Sequence, residues 1–129
     1  MPSVVALRKV AADLAEYWSP RVVGEVDDSY VKVAKVKGTL TWHSHEHEDE
    51  LFLVLQGQLR IEMAHETVVL REGEMFVVPK GTRQNPVAEE ECHLLLFERK
   101  STAHTGDVVT DKTRSIEEQL RGSQLSLSC

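Results

Sequence analysis

The residues of this chain best suited to chemistry lie in one short stretch, residues 42–57, with the sequence WHSHEHEDELFLVLQG. It places His43, His45 and His47 at alternate positions and follows them with acidic residues. In an extended chain, residues two apart project to the same side, so the three imidazoles can converge on one point. Imidazole nitrogens and a carboxylate oxygen form a donor set that first-row divalent metals prefer. The stretch predicts a metal site; the alternative is a solvated polar loop between two strands.

The carboxylate of this site has two candidates. If the chain ran straight through as a strand, Asp49 would share the face of the histidines and Glu50 would point away. Glu50 joins the site only if residues 46–49 turn or bulge and so shift the phase. The apolar run at 51–55 does not decide between them, because it is apolar on both faces.

Composition narrows the class of protein. The 129 residues are 41% hydrophobic and 28% charged, an ordinary globular balance for a single domain with its own core. The formal net charge of −6, with scattered Lys and Arg, argues against a nucleic-acid binder or a membrane-surface protein. No stretch approaches the ~20 apolar residues of a membrane-spanning helix.

The N-terminus and the cysteines predict the compartment. Charged residues interrupt the first apolar stretch, so no signal peptide is expected. Cys92 and Cys129 have no metal-binding or redox spacing. We therefore expect a cytoplasmic, reduced protein.

Apolar spacing predicts the elements that position the site. Residues 4–18 repeat apolar side chains every three or four positions, which predicts an amphipathic helix within an N-terminal segment 1–20. From residue 21 to 100 the pattern changes to short strands separated by turn residues, which predicts antiparallel sheets in a sandwich or barrel. The predicted strands are 21–27, 29–37, 39–45, 50–56, 58–63, 67–71, 74–78, 85–88 and 91–99.

The remaining segment, 101–129, is predicted to be a polar arm. Ser115 and Glu118 have the spacing of a capping box, which predicts one short helix over 115–121. Residues 122–129 are expected to be frayed.

Two motifs in the core resemble those of the cupin superfamily. Four residues separate Gly38 from His43, four separate His45 from Glu50, and six separate Glu50 from Gly57. This matches the first cupin motif, with the first spacing one residue short. The second motif reads Gly73, Pro79 and Gly81 and then has Gln84 where a histidine is usual. The match covers about Tyr30 to Glu98, and small single-domain cupins, some loosely labelled mannose-6-phosphate isomerase-like, are the most similar.

The resemblance implies an all-β cupin jelly roll, a conical antiparallel β-barrel with a metal inside. It implies ligands at His43, His45, Glu50 and, in the fourth position, Gln84. An amide oxygen is a weaker ligand than imidazole for transition metals, but two His and one carboxylate already form a facial triad. The expected cofactor is a divalent ion: Fe, Mn, Ni or Zn.

The resemblance also implies a small-molecule ligand and a homodimer, with segments 1–20 and 100–121 as candidate contacts. Side chains expected near the pocket are Trp42, His47, Arg60, Arg83 and His93. Trp42 and His93 also have a purely structural interpretation. Trp42 is then a residue of the rim or the core, and His93 is a histidine that is hydrogen-bonded within the protein or exposed to solvent.

Three functions are consistent with these residues, since a fold does not fix a reaction. The first is a metal-dependent enzyme of oxygenase or isomerase type acting on a small molecule. The second is a non-catalytic module that binds a small molecule or a metal, which the substitution of Gln84 for histidine favours. The third, metal-free sugar-nucleotide epimerisation, ranks last because Tyr17 and Tyr30 both precede the barrel core.

Overall fold

Strands dominate the computed structural model, which describes residues 3–121. The elements are α1 (Leu7–Ala12), β1 (Arg21–Val26), β2 (Ser29–Thr39), β3 (Glu50–Gln56), β4 (Leu59–Met63), β5 (Thr67–Leu70), β6 (Met75–Val78), β7 (Gln84–Arg99) and α2 (Ile116–Leu120). The predicted all-β fold with short terminal helices is confirmed. The expected fraying of 122–129 lies outside the described residues.

One long strand, β7, organises the sheet. All pairings are antiparallel, in the order β1-β2-β7-β3-β6, and β4 pairs with β7 and with β5. The first residues of β7 pair with β4, and its last residues pair with β3. Register shifts at Val36/Gly38 and Val54/Gln56 mark irregularities that bend the strands. A single strand thus carries the chain from one wall to another, and it fuses the two predicted strands 85–88 and 91–99.

Side chains of β2, β3 and β7 alternate between the inside and the outside of the fold, and the inward ones form the interior. Residues of β2, β3 and β7 that point inward form the main core, which includes Ala34, Val36, Phe52, Val54, Cys92, Leu94 and Leu96. One end of this interior is instead polar, because Lys32, Glu50 and Glu98 also point inward and are 2%, 5% and 4% exposed. The outward face of β2 packs through Val33 against Ala11 and Leu14.

Two predicted elements were wrong in extent. The helix expected over 4–18 covers only Leu7–Ala12. Trp18 instead takes a left-handed φ of 59°, is buried, and donates a hydrogen bond from Nε1 to the carbonyl of Lys37. The spacing of apolar residues fits a helix, but the second half of the segment gains more by packing on the edge of β2.

The predicted strand 39–45 is not formed. β2 stops at Thr39, and residues 40–49 form a loop with one isolated bridge, His43 to Gln84. The loop is held by side-chain and backbone contacts rather than by a continuous ladder. Within residues 3–121, no helix is long and apolar enough to cross a bilayer.

Candidate metal centre

Four side chains from three parts of the chain meet at the polar end of the barrel. His43 and His45 come from the 40–49 loop, Glu50 begins β3 and Gln84 begins β7. All four are at most 5% exposed. Candidate ligand atoms of the two histidines and the glutamate all lie within 4.8 Å of one another. Two backbone hydrogen bonds between His43 and Gln84, of 2.9 and 2.8 Å, join the loop to β7. The structure thus brings together the four residues expected as ligands.

The structure places Glu50, and not Asp49, beside the histidines. The chain bends at 46–47, which shifts the phase before β3 begins. Asp49 is exposed, and its carboxylate accepts a hydrogen bond of 2.9 Å from the backbone N–H of Lys80. That bond turns Asp49 to the outer loop and leaves Glu50 as the inward carboxylate.

A backbone carbonyl sets the tautomer of His43. Its Nδ1 lies 2.9 Å from the carbonyl oxygen of Thr41, which can only accept, so Nδ1 carries the proton. The Nε2 lone pair is then free to bind a ligand. Metal-bound histidines commonly donate their second nitrogen to such an acceptor, which fixes the ring.

His45 and Gln84 carry three of the buried side-chain polar atoms that lack hydrogen-bond partners within residues 3–121. Both ring nitrogens of His45 and Oε1 of Gln84 are buried without a hydrogen bond. The amide nitrogen of Gln84 donates to Glu50 Oε1 at 3.0 Å; turning the amide over would set two oxygens against each other. Buried polar groups are rarely left unsatisfied, so these atoms are suited to hold an ion. Two imidazoles, a carboxylate and an amide oxygen fit a divalent cation.

The electrostatics of the site keep Glu50 ionised. Burial opposes its ionisation, but His45, whose Nε2 lies 3.4 Å from Glu50 Oε1, outweighs this and lowers the pKa of Glu50 to about 2. Burial lowers the pKa of His43. Burial also acts to lower the pKa of His45, but the nearby Glu50 carboxylate has the larger effect. The pKa of His45 is therefore raised above its usual value. Glu50 is therefore a ready anionic ligand.

A buried ion pair lies next to this group. Lys32 Nζ lies 3.0 Å from Glu98 Oε2, and both side chains are almost completely buried. Glu98 is directly opposite Glu50 in the β3–β7 pairing. Burial, and then the charge of Glu50, raise the pKa of Glu98 well above its usual value, against the effect of Lys32. The ammonium thus offsets two carboxylates that would otherwise repel each other.

A small cavity connects the ligand group to the apolar interior. It has a volume of about 30 Å³, and its walls include His43, Glu50, Phe52, Leu96 and His104. This space is enough for an ion or a water molecule. An aromatic molecule would enter only after the walls move.

The C-terminal arm forms part of this site, which the sequence did not predict. Asp107 accepts the backbone N–H of Ser44 on Oδ1 at 3.0 Å and donates its own N–H to the carbonyl of Ser44 at 3.1 Å. A Cβ on Gly106 would overlap that same carbonyl oxygen. The arm therefore clamps the residue between the two histidines. The polar sequence of the arm has no periodicity that would have placed His104 in the cavity wall.

Trp42 and His47 lie away from the ligand group. Trp42 is 40% exposed. The side chain of His47 is 80% exposed and lies 3.8 Å from Glu46, so the in-phase spacing of His47 does not bring it to the other two histidines. The bend at 46–47 is the physical reason.

The two arginines expected near the pocket form ion pairs on the surface. Arg60 binds Glu62 at 3.2 Å and Glu89 at 2.7 Å. Arg83, which is largely exposed, lies 3.8 Å from Asp107 on the arm. Neither side chain contributes to the cavity wall.

His93 is buried on the outer side of β7. Its strand neighbours Cys92 and Leu94 belong to the core, so His93 points the other way. Its Nε2 donates to Glu91 at 2.8 Å, and Glu91 also accepts from Tyr17 at 2.9 Å. His93 therefore belongs to a cluster separate from the cavity.

Comparison with known proteins gives the family. The cupin domain family matches residues 29–98. The protein YdbB of Bacillus subtilis (strain 168), which is uncharacterized, is 36% identical over 83 residues, covering 64% of this chain and 74% of YdbB. The crystal structure of a cupin-2 domain containing protein from Shewanella frigidimarina NCIMB 400 is 37% identical, with a TM-score of 0.73, over 75% of this chain and 95% of that one.

A further relative has a named activity. The 3-hydroxyanthranilate 3,4-dioxygenase 2 of Aspergillus fumigatus is 32% identical over 89 residues, which cover 64% of this chain. The match spans only 46% of that dioxygenase. The family match covers all four clustered side chains, His43, His45, Glu50 and Gln84, and also the paired Lys32 and Glu98. The chain therefore belongs to the cupin domain family.

Proposed function

We propose that the polar end of the barrel binds one divalent metal ion through His43, His45 and Glu50, with the Gln84 amide oxygen beside them, and that the protein is an oxygenase-type enzyme acting on a small molecule. The observation that carries this proposal is the group of buried, unpartnered donor atoms on His45 and Gln84, next to the ionised Glu50. The similarity to a dioxygenase over 89 residues supports the reaction class.

A bound ion of this kind supplies a Lewis acid that polarises a substrate oxygen, or a site for dioxygen. Other residues of the chain hold the ligand side chains in the orientation that metal binding needs. The carbonyl of Thr41 holds His43 in the tautomer with a free Nε2, and the Gln84 N–H orients the Glu50 carboxylate. Bulk water is kept from the ligand atoms, because all four side chains are at most 5% exposed.

Elemental analysis of the purified protein tests the metal site. We expect about one divalent ion per chain, and a loss of affinity of more than about 100-fold in His45→Ala, because even outer partners of ligands are worth 10–100-fold. The matched control is His65→Ala, since His65 is exposed in the turn between β4 and β5. A wild-type protein that neither retains nor takes up Fe, Mn, Ni or Zn would contradict the proposal, and equal metal content in both variants would do so too.

The second candidate function is a binding module without catalysis. The cavity of about 30 Å³ and the amide at the fourth ligand position favour it. Oxygen uptake by the iron-loaded protein, with 3-hydroxyanthranilate as the trial substrate, separates the two functions. Gln84→His adds the stronger imidazole ligand, and metal binding in that variant alone would identify a natural site that has lost its ion.

A further inference from the structure

His104 lies outside the segment that defines the family. The cupin domain match ends at residue 98, and the arm that carries His104 follows it. The arm nevertheless packs on the metal site, with Thr105 1% exposed and Asp107 bound to Ser44. A residue supplied by this arm is therefore a feature of this chain that the family match does not assign.

A hydrogen bond to His104 determines which of its ring nitrogens carries the proton. The backbone N–H of Arg114 donates to Nδ1 of His104 at 2.9 Å. A ring nitrogen that accepts a hydrogen bond has no proton, so the neutral ring carries its proton on Nε2. Burial also lowers the pKa of His104 to about 4, which keeps the ring neutral.

The Nε2 donor of His104 has no acceptor within residues 3–121, where its only hydrogen bond is the one through Nδ1. The ring forms part of the wall of the cavity that also contacts His43 and Glu50. It is close enough to both for their charges to act on it. The wall of the metal site thus includes a half-buried histidine whose Nε2 donor has no partner among residues 3–121.

His104 is poorly suited to be a metal ligand. Binding an ion through Nε2 would move the proton to Nδ1, where it would face the N–H of Arg114. Two donors would then point at each other, and the hydrogen bond that anchors the arm would be lost. The present tautomer instead favours donation to a ligand.

We propose that His104 is the residue that donates a hydrogen bond, from Nε2, to the small molecule that binds beside the metal. The ligand class is a small molecule with an acceptor oxygen or nitrogen. Anions suit the site best, because a bound divalent ion would add positive charge to the end of the barrel where Lys32 lies. This inference rests on the proposed function, because it concerns the ligand that shares the site with the ion. His104 acts as a ligand-positioning residue.

Two substitutions separate this role from a purely structural one. His104→Asn places an amide oxygen near the position of Nδ1, so it keeps the acceptor for Arg114 and removes the Nε2 donor. His104→Gln places its amide group near the position of Nε2, so it keeps a donor and removes the anchor. His65→Asn makes the same chemical change at an exposed position and serves as the control.

The experiment is a titration of the Co²⁺-loaded full chain with azide, followed by visible absorption. Azide is a small anion with acceptor nitrogens at both ends. We expect His104→Asn to weaken azide binding about tenfold, as for the loss of one hydrogen bond, with Co²⁺ affinity changed less than about threefold. We expect His104→Gln and His65→Asn to bind azide about as well as the wild type.

Three results would overturn the inference. Unchanged azide affinity in His104→Asn would show that the donor is not used. Equal loss in His104→Gln and His104→Asn would show that the ring acts through its shape and not through its Nε2 donor. Loss of Co²⁺ from His104→Asn as complete as from His45→Ala would make it a metal ligand. Absence of Co²⁺ binding in the wild type is a different result, because it contradicts the proposed function itself.

Discussion

The two ends of the barrel interior are built from the same three strands but from different side chains. At one end, Lys32, Glu50 and Glu98 point inward from β2, β3 and β7. Four residues further along β2 and β3, and four residues earlier on β7, the inward positions are occupied by Val36, Val54 and Leu94. The backbone ladder is continuous between the two ends, so the difference lies in the side chains alone.

This difference separates stability from chemistry within one sheet. The apolar end buries side chains that need no partners, and such burial is the main favourable term in folding. The polar end contains buried charged side chains and polar atoms without hydrogen-bond partners. Their burial costs free energy unless an opposite charge or a hydrogen bond compensates for it. We therefore expect substitutions at the apolar end to change stability without changing metal binding. Substitutions at the polar end test how the charges compensate one another.

The largest expected effect on stability is at the apolar end. Leu94 is 1% exposed, so Leu94→Ala removes a fully buried side chain and leaves a cavity. We expect a loss of about 4 kcal/mol in the free energy of unfolding, measured with urea, while metal content stays at the wild-type level. Leu95→Ala on the opposite face of β7 is the matched control and should cost clearly less, because Leu95 is only half-buried. Loss of metal from folded Leu94→Ala would show that the two ends are not separate.

The next effect tests the buried ion pair. Lys32→Met keeps the length of the side chain and removes the cation, so Glu98 and Glu50 remain opposed without compensation. We expect a loss of about 3 kcal/mol at neutral pH, as for breaking a buried pair. Lys35→Met, three residues along the same strand, should cost less than about 1 kcal/mol, because Lys35 only donates to the carbonyl of Ala12 near the surface. Equal effects of the two substitutions would contradict the role given to Lys32.

The sequence predicted which side chains cluster better than it predicted the backbone that holds them. The spacing of His43, His45, Glu50 and Gln84 brought the four to one place, as expected. Alternation alone would also have included His47. It failed there because the chain bends at 46–47, and a bend without Gly or Pro has only a weak local signal.

The roles of the terminal segments depended on tertiary contacts that no local pattern records. Trp18 continues the helical spacing but packs into the core beside β2. His104 and Asp107 lie in a polar segment without periodicity, yet they contact the cavity and Ser44. By contrast, the N-terminal cap of α2 could be predicted from local spacing, and Ser115 and Glu118 form the predicted capping box. Pairing with a second copy through 1–20 and 100–121 stays a prediction.

The smallest expected effect is a pH dependence that belongs to His104. Because burial lowers the pKa of His104 to about 4 from 6.5, the unfolded chain binds a proton there at a higher pH than the folded chain does. Stability contributed by the neutral ring is therefore present above pH 6.5 and is lost as the pH falls towards 4. Between pH 6.5 and about pH 5, the metal-free wild type should lose roughly 1.5 kcal/mol more than His104→Asn does. Urea unfolding of both proteins in the presence of a chelator measures this difference, from which the other titrating groups cancel. Identical pH dependence in the two proteins would mean that the His104 ring is well solvated, and that the arm does not close the polar end of the barrel.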